Sequence, residues 1–469
     1  MPAPGSTDAE ARPSAARRYA RFVRDLELDQ VPAAIRARAQ LLALDTIGSC
    51  LASSRQDFGR SALDAAERLG GAPESTLIGA RARVGAANAV LANGTLAHGL
   101  DFDDTREDAI VHTGSVAVTT ALAVGEATNA SGRATLEALI AGVEVMCRVG
   151  LAVPGRFHAR HFHPTSLAGS FAAAAVAGKL HRLGEAELVH AFGICGSQAG
   201  GIIEYLGDGS WTKRLHPGWA GHAGVVAVRL AKSGFTGPDA VFEGTHGFYE
   251  AFAGGHDAAK LDALLGTLGR EWELGALTFK PYPCGSIAHP YMDCALRLRE
   301  RHGLRPERIR EIHCRTAAGP LPRLWEPLDA KRRPPNGYAA KFSLPYLLAV
   351  ILIKGRAGLA EFTDEAVADE AVLALAARAS YEVDPSIDYP RQFIGDVTVV
   401  LDDGRRLHEH QDRPRGGPDF PMSPEEMEAK FRGNAELALS AAEARRVADH
   451  AARLETLPGL APLMASLVT

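Results

Sequence analysis

Residues 166–183 read SLAGSFAAAAVAGKLHRL, and this run of small and apolar residues has the length of a helix. Alanine, its commonest residue, has the highest intrinsic helix propensity. Segments of the same texture recur along the first half of the chain, with Gly, Pro or Ser at their joints. They cover residues 86–97, 119–128, 135–151 and 185–199. Because small side chains let helix backbones approach closely, the pattern predicts a tightly packed all-α domain.

The chain of 469 residues is longer than a domain with a single hydrophobic core usually is. Its residue pattern changes near residue 276, where the Ala-rich helical segments end. Beyond that point residues 309–316 alternate like a strand, and DVTVVLDDGRRLHEH predicts a β-hairpin turning at Asp403 and Gly404. SPEE at 423–426 predicts a capped start for a last helical region. We therefore predict a mainly α fold with a large helical domain and a smaller α+β lid domain. The predicted boundaries are 1–275 for the N-terminal part of the helical domain, 276–411 for the α+β lid domain and 412–469 for a C-terminal return to the helical domain.

Composition narrows the classes of partner. The chain has 51 basic and 56 acidic residues and a formal net charge of −5, so it offers no basic footprint for nucleic acid or for an anionic membrane. No apolar run reaches the ~18 residues that a membrane span requires, and the N-terminus lacks the apolar core of a signal peptide. We expect a cytoplasmic protein with a small-molecule substrate, in which residues 1 to about 13 form a frayed tail.

The six cysteines are scattered without a CxxC pair. This spacing argues against a zinc knuckle or a disulfide framework and fits a reducing compartment. The sequence therefore predicts buried free thiols.

The densest chemistry lies in residues 94–115, GTLAHGLDFDDTREDAIVHTGS, between two helix-like runs. This stretch contributes the imidazoles of His98 and His112 and the hydroxyl of Thr105. Its acids are Asp101, Asp103, Asp104, Glu107 and Asp108. Twelve of the 17 histidines lie between His98 and His289, and histidine is the side chain best suited to proton transfer near neutral pH. The stretch therefore predicts a site for acid and base chemistry.

Three further motifs supply candidate residues. HFHP places His163 at the N-terminal edge of a helix, where an imidazole tends to stay neutral and can accept a proton. GDGSWTKRLHPGWAGHAG carries Lys213 and Arg214 as a candidate anion clamp in an acidic protein. KPYPCGSIAHP carries Lys280 and His289, which are candidates for binding a small molecule. A hydrogen-bonded structural histidine or a solvated Lys-Arg pair is the alternative at these positions.

Seven motifs, in order, resemble those of the MmgE/PrpD family over essentially the whole chain. They are LLALDTIGSCLA (41–52), NGTLAHGLDFDDT (93–105), HTGS (112–115), RFHARHFHPTSLAGSFAAAAVAGKL (156–180), DGSWTKRLHPGWAGHAG (208–224), KPYPCGSIAHPYMD (280–293) and AKFSLPYLLAVILIKG (340–355). The resemblance implies a helical domain built from the N-terminal portion and the C-terminal tail, and a smaller α+β lid. It also implies a homodimer with no metal or organic cofactor.

The family includes 2-methylcitrate dehydratase, cis-aconitate decarboxylase and iminodisuccinate epimerase, which share proton movement next to a carboxylate of a small polycarboxylic acid. The resemblance therefore implies a cofactor-independent hydro-lyase like 2-methylcitrate dehydratase, with an epimerase and then a decarboxylase as alternatives. The implied catalytic residues are His163 and His112 as acid and base, and Asp101 as an orienting group. The implied substrate-binding residues are Thr105, Lys213, Lys280 and His289.

The chain departs from the family pattern at a few positions. Decarboxylase-like members have a further active-site histidine shortly after the motif that matches FKPYP, and here Gly285 stands at the nearest equivalent position. His289, a few residues on, is a candidate replacement. Arg106 stands where many bacterial members have histidine, and Thr113 where they have proline. Of the three candidate reactions, these departures argue most strongly against decarboxylation.

Two alternatives come from other classes of protein. Residues 103–108, DDTRED, resemble the Asp-rich motif with which all-α isoprenoid synthases hold Mg²⁺ and diphosphate, but a second metal motif is missing. A non-catalytic helical scaffold would explain the helices, but not the acids, histidines and lysines gathered at their joints.

Overall fold

The structure, a computed structural model, describes residues 12–389 and 392–469. The predicted N-terminal tail lies almost entirely outside them. The chain divides into two compact units. The first unit comprises Met1–His98, Arg106–Gly275 and Ala438–Thr469, and the second comprises Gly99–Thr105 and Ala276–Leu437.

The first unit consists mainly of α-helices. In its N-terminal part they are α1 (Ala15–Asp25), α2 (Ala33–Ser54), α3 (Asp57–Leu69), α4 (Ala86–His98), α5 (Gly114–Ala127), α6 (Gly132–Leu151), α7 (Arg156–Ala159), α8 (Pro164–Leu180), α9 (Glu185–Gln198), α10 (Tyr205–Asp208), α11 (Thr212–Lys232), α12 (Phe248–Ala253) and α13 (Ala258–Gly266). Two short strands, β1 (Ser75–Thr76) and β2 (Arg83–Val84), pair antiparallel. The predicted all-α character is confirmed, because α4, α5, α6, α8 and α9 match the predicted segments with bounds that differ by a few residues.

Helix α8 lies inside the first unit and packs against α5, α6, α9 and α11. Nearly all of its residues are buried, from Pro164 to Gly178 without a break. Few polar residues lie on any face of residues 166–183, and this pattern predicts that a second subunit covers part of the helix. That prediction is wrong for α8, because helices of the same unit already cover it.

Glycines allow two helices of this unit to touch along their backbones. A Cβ atom on Gly218 of α11 would lie 2.1 Å from the carbonyl oxygen of Leu91 in α4. A Cβ atom on Gly94 would lie 2.7 Å from the Cα of Gly218. Real Cβ atoms do not approach neighbours so closely, so α4 and α11 can keep this separation only with glycine at both positions.

The second unit is an α+β fold. Its α-helices are α14 (His289–His302), α15 (Leu321–Leu324), α16 (Leu328–Arg332), α17 (Gly337–Ala340), α18 (Leu344–Lys354), α19 (Asp364–Val367), α20 (Glu370–Ala376) and α21 (Pro424–Ala435). Its strands are β3 (Ile309–Thr316), β4 (Ala379–Val383), β5 (Gly395–Leu401) and β6 (Arg406–Gln411). The sheet order is β4-β3-β5-β6, with β3 and β4 parallel and the other pairs antiparallel. Helices α14 and α18 pack together, and α14 also packs on β5 and β6.

The strand predicted at 309–316 and the predicted hairpin are both present. Val397, Val399 and Leu401 are buried as the alternation requires, and Gly404 takes the positive φ of +85° that the tight turn needs. The sequence analysis missed β4, although its five residues ASYEV alternate apolar and polar side chains.

The chain then returns to the first unit with α22 (Ala441–Ala452) and α23 (Ala461–Ala465). The predicted return at residue 412 is too early, because the second unit extends to Leu437. Helix α21 begins at the predicted capping box, where Ser423 and Glu426 bond each other's backbone N–H groups. Its Lys430 Nζ donates to the carbonyl oxygen of Phe102, which also belongs to the second unit.

Several connections contain short 3-10 helices. These are Leu28–Gln30, Glu107–Ala109, Glu273–Ala276, Ser286–Ala288, Pro306–Arg308, Leu359–Phe362 and Leu454–Thr456. All six cysteines are free and buried, which confirms the expectation of buried thiols. Within 12–389 and 392–469, every helix is too short or too polar to cross a bilayer.

Candidate active site

Four histidines of the first unit lie together, and each comes from a different part of the chain. His98 ends α4, His112 lies two residues before α5, His163 is the N-cap residue of α8, and His216 lies in the second turn of α11. All four side chains are buried. We call this group the histidine cluster.

The rings of the histidine cluster are in close contact. The ring centroids of His98 and His112 are 4.7 Å apart, and those of His98 and His163 are 5.4 Å apart with the rings nearly stacked. The His112 and His163 centroids are 6.3 Å apart. Tyr205 of α10 packs edge-on against the rings of His163 and His216. A small molecule bound beside these rings would meet several ring nitrogens at once.

The backbone around His163 is held from both sides. Pro164 occupies the first helical position of α8, where a missing N–H costs nothing. The N–H of His163 donates to the carbonyl oxygen of Gly201 over 2.9 Å. One residue into the helix, the Thr165 hydroxyl accepts the N–H of His112 over 3.1 Å. The start of α8 therefore positions two of the cluster's imidazoles.

His163 and His216 face each other through their Nδ1 atoms, which are 3.0 Å apart. A hydrogen bond of this kind requires one Nδ1 to carry the proton and the other to be bare. Sequence analysis did not predict His216 as a site residue. It lies three residues after Lys213 in α11 and therefore on the same helix face, which is the sequence signal that would have identified it.

The surroundings of His163 and His216 favour their neutral forms. Burial lowers the pKa of His163 well below its usual range, and the neighbouring charges of His98, His216, Lys213 and His112 lower it further. Burial also lowers the pKa of His216 to about 4, with His98 and Lys213 acting in the same direction. The sequence analysis attributed a low pKa at His163 to the helix N-terminus, but burial is the larger cause. A neutral, buried imidazole is suited to accept a proton.

Lys213 lies in the first turn of α11, half-buried, and its charge acts on both His163 and His216. The sequence analysis predicts it as half of a Lys-Arg anion clamp. The guanidinium of Arg214 instead lies over the Phe58 ring at 4.3 Å. Lys213 is therefore the lysine whose positive charge lowers the pKa of both His163 and His216.

Ring nitrogens of His98, His112 and His163 also lie within 4.8 Å of one another, which is close enough for a divalent ion to be considered. Tetrahedral zinc holds imidazole nitrogens about 3.4 Å apart, given Zn–N distances of about 2.0–2.1 Å. The charge of Lys213 opposes a cation at this position. The expectation that the site needs no metal stays a prediction.

In the second unit three buried lysines converge on one turn of backbone. Lys341 Nζ donates to the carbonyl oxygen of Leu100 over 2.6 Å, Lys280 Nζ to that of Asp101 over 3.1 Å, and Lys430 Nζ to that of Phe102 over 2.8 Å. Asp101 itself has a positive φ of 56°, a conformation that Asp tolerates better than most residues. Of these three lysines, sequence analysis had predicted only Lys280.

The remaining predicted residues also lie in the second unit. Thr105 is buried and exchanges backbone hydrogen bonds of 2.9 and 2.8 Å with Thr278. His289 is fully buried, and its Nε2 lies 3.2 Å from the carbonyl oxygen of Cys284. Burial, with the charge of Lys280 as the next cause, lowers the pKa of His289 to about 3. The structure therefore groups the predicted site residues as His112, His163 and Lys213 in the first unit, and Asp101, Thr105, Lys280 and His289 in the second.

Comparison with known proteins connects this arrangement to an enzyme family. The family model for the MmgE/PrpD N-terminal domain matches residues 17–261, and that for the MmgE/PrpD C-terminal domain matches residues 282–456. The cis-aconitate decarboxylase-like protein oryM of Aspergillus oryzae is 26% identical over 98% of both chains. The cis-aconitate decarboxylase of Aspergillus terreus is 24% identical over 98% of this chain and 97% of its own length. That of Mus musculus is 28% identical over 74% of this chain and 71% of its own length. With both family models matched across most of its length, the chain belongs to the MmgE/PrpD family, an enzymatic family that contains lyases.

Proposed function

We propose that the protein is a cofactor-independent lyase that moves a proton next to a carboxylate of a small polycarboxylic acid. The observation that carries the proposal is the histidine cluster, in which four imidazoles are buried together and both burial and the charge of Lys213 lower the pKa of His163. The lyase members of the family support the reaction class. Family membership leaves the alternatives of an isoprenoid synthase and a non-catalytic scaffold without support.

The chemistry accounts for the residue types. Removing a proton next to a carboxylate builds negative charge on that carboxylate, so the reaction needs a neutral base and a fixed cation. His163 is the base in this proposal, and Lys213 holds the carboxylate. His112, whose ring centroid is 6.3 Å from that of His163, is the second acid or base. Asp101, Thr105, Lys280 and His289 remain predictions for orienting and binding the substrate.

Dehydration of a 2-methylcitrate-like substrate is our first candidate reaction. Decarboxylation is the second, favoured by the names of the relatives from Aspergillus oryzae, Aspergillus terreus and Mus musculus. Gly285 argues against decarboxylation, because decarboxylase-like members of the MmgE/PrpD family are expected to have a histidine near this position. Epimerisation would use the same two acid-base groups on opposite faces of one carbon.

The test is incubation with 2-methylcitrate, citrate, cis-aconitate and iminodisuccinate in deuterated water, followed by NMR. Dehydration predicts loss of water from a hydroxy acid, with deuterium appearing at the deprotonated carbon in the back reaction. Release of carbon dioxide would show that the reaction is a decarboxylation and not a dehydration. Deuterium exchange without net conversion would indicate an epimerase. Absence of both turnover and exchange with the whole panel would overturn the proposal.

A chelator separates this proposal from metal-dependent chemistry. Proton transfer by histidine and charge stabilisation by lysine use only side chains of the chain. We therefore expect turnover to be unchanged after dialysis against EDTA. Loss of activity on chelation, restored by a divalent ion, would contradict the cofactor-independent mechanism.

A further inference from the structure

His216 makes a contact in the histidine cluster that the proposed acid-base pair does not use. Its Nδ1 lies 3.0 Å from Nδ1 of His163, and both rings are buried, with 8% and 3% of their surfaces exposed. The Nδ1 atoms of two neutral imidazoles can approach so closely only by sharing one proton. The contact therefore couples the tautomers of the two residues.

Only one of the two possible tautomer pairs lets His163 act as a base. If Nδ1 of His163 carries the proton, its Nε2 is bare and can accept a proton from the substrate. If Nδ1 of His216 carries the proton, His163 holds its own proton on Nε2 and has no free lone pair for the substrate. The identity of the donor thus decides whether His163 is a base or an acid.

We propose that His216 is a positioning residue that accepts a hydrogen bond from Nδ1–H of His163 and so keeps Nε2 of His163 bare. This inference rests on the proposed function. In the reaction, the substrate proton moves to Nε2 of His163 while the electron pair of the broken C–H bond stays on the substrate. His163 becomes an imidazolium, and the lone pair on Nδ1 of His216 continues to accept its Nδ1–H.

The surroundings explain why a neutral partner fits here. In the Ser-His-Asp arrangement a carboxylate orients the imidazole and also stabilises its charged form. Among the described residues, the imidazoles of His98, His112 and His216 and the phenol of Tyr205 contact the His163 ring, and the charge of Lys213 lowers its pKa. A neutral orienting group fixes the ring without raising its pKa, which leaves His163 unprotonated and ready near neutral pH.

Three substitutions of His216 separate orientation from simple packing. Asn places a polar atom close to the position of Nδ1 and can accept the same hydrogen bond, Asp accepts it with a negative charge, and Leu cannot accept it. We expect His216→Leu to lower kcat by ~10-fold or more, as loss of a tautomer-fixing partner does. His216→Asn should restore most of the activity. His216→Asp should move the acidic limb of kcat/KM upward by about 1 pH unit or more, because a nearby carboxylate raises the pKa of His163.

Nitrogen-15 NMR of ring-labelled histidine in the ligand-free protein gives a readout that does not depend on the substrate. His163, assigned by its loss in His163→Gln, should show a protonated Nδ1 and a bare Nε2 in the wild type and in His216→Asn. Equal kinetic losses in the Leu and Asn variants, an unmoved pH profile in the Asp variant, or a His163 protonated on Nε2 would overturn the proposal. If the substrate panel shows no turnover, the NMR tautomer still tests the role of His216. If His216→Leu does not fold, the Asn and Asp variants carry the test.

Discussion

At the residue scale, His163 combines burial with a fixed backbone. Its side chain is 3% exposed, and its backbone N–H is bonded to Gly201. If it is the base, His163→Gln should lower kcat by ~10²-fold or more, the usual scale for losing a general base. Steady-state kinetics on the substrate found in the panel measures the effect.

The matched control for that prediction is His161→Asn. His161 is exposed two residues away and has a positive φ of 65°, which Asn tolerates. The His161→Asn protein should keep wild-type turnover. Normal turnover in His163→Gln would return His163 to a structural role.

Buried neutral histidines should also make the fold sensitive to acid. Burial holds the pKa of His216 at about 4 and that of His289 at about 3, against 6.5 for an ordinary histidine. Below pH 6.5 these histidines become protonated in the unfolded chain but stay neutral in the folded chain. The free energy of unfolding therefore keeps its full value above pH 6.5 and decreases as the pH falls towards the lowered pKa values. For His216 alone the loss between pH 6.5 and 4 is about 3 kcal/mol.

Urea unfolding at pH 7 and pH 4.5 measures this dependence. His289→Gln removes one of the buried imidazoles, so it should reduce the difference in midpoint between the two pH values. His302→Gln, an exposed position of the same helix, should leave the difference as in the wild type. An equal difference in all three proteins would contradict the prediction.

Residue positions could be predicted from sequence where local pattern decides them, as at the helix start that carries His163. Contacts between distant residues could not. His163 and His216 are 53 positions apart, Lys341 and Leu100 are 241 apart, and Lys430 and Phe102 are 328 apart. No periodicity or composition within one segment encodes such pairings, so the roles of His216, Lys341 and Lys430 became visible only in the folded chain.

At the element scale, the sequence predicted the long helices well because their alanine and glycine content dominates local preference. Strand β4 was missed although its residues alternate, because the run is only five residues long and contains Ala and Glu, which are uncommon in strands. Helix α21 was found but assigned to the wrong unit. Its capping box reports where a helix starts and carries no information on what the helix packs against.

The close approach of α4 and α11 gives a test of element packing. Gly218→Ala would place a methyl group 2.1 Å from the carbonyl oxygen of Leu91, so the two helices must separate. Because α4 ends at His98 and α11 carries His216, the separation should disturb the histidine cluster. We expect a loss of about 1–3 kcal/mol in the free energy of unfolding and a fall in kcat.

The control for that substitution is Gly433→Ala in α21. A Cβ atom there meets no atom within 4 Å, so the change should be neutral or stabilise the protein by up to about 1 kcal/mol. Chemical denaturation and kinetics of both variants provide the comparison. If the Gly218→Ala protein is as stable and active as the Gly433→Ala protein, α4 and α11 can separate without cost, which would contradict the prediction.

The turn at residues 100–102 is held by lysines from three separate segments of the chain, and Lys341 is the one between α17 and α18. Lys341→Met should leave the buried carbonyl oxygen of Leu100 without this donor, which costs about 1–3 kcal/mol. Asp101 follows in the chain, so its orientation should loosen. The exposed Lys354→Met at the end of α18, which loses only a surface pair with Asp369, should cost less than about 1 kcal/mol. Equal losses in the two proteins, measured by urea unfolding, would argue against the turn's dependence on Lys341.

At the scale of the whole molecule, the stretch 94–115 that carries the densest chemistry contributes to both units. The chain leaves the first unit after His98, forms Gly99–Thr105 of the second and re-enters the first at Arg106. Sequence analysis placed this stretch wholly within the first domain, because a seven-residue excursion leaves no composition shift to mark it. The boundary near residue 276 does carry such a shift, where helical texture gives way to Pro and Gly.

We propose that the protein is a homodimer. Because α8 is buried within its own unit, the proposal rests on another surface. Five large apolar side chains within residues 202–219 of the first unit are between two-fifths and three-fifths exposed; they are Ile202, Leu206, Trp211, Leu215 and Trp219. Apolar surface gains about 25 cal/mol for each Å² removed from water, so a second copy covering these side chains would stabilise both chains. An isologous contact would bring the same patch of each copy together.

Sedimentation velocity at micromolar concentration should give twice the mass of one chain. Leu206→Glu with Trp219→Glu places charges in the proposed contact and should shift the distribution to monomer. Phe235→Glu, at a side chain that is 58% exposed outside residues 202–219, is the matched control and should leave the dimer intact. A wild-type protein that sediments as a single chain would contradict the assembly. A dimer that survives Leu206→Glu with Trp219→Glu would place its interface on another face.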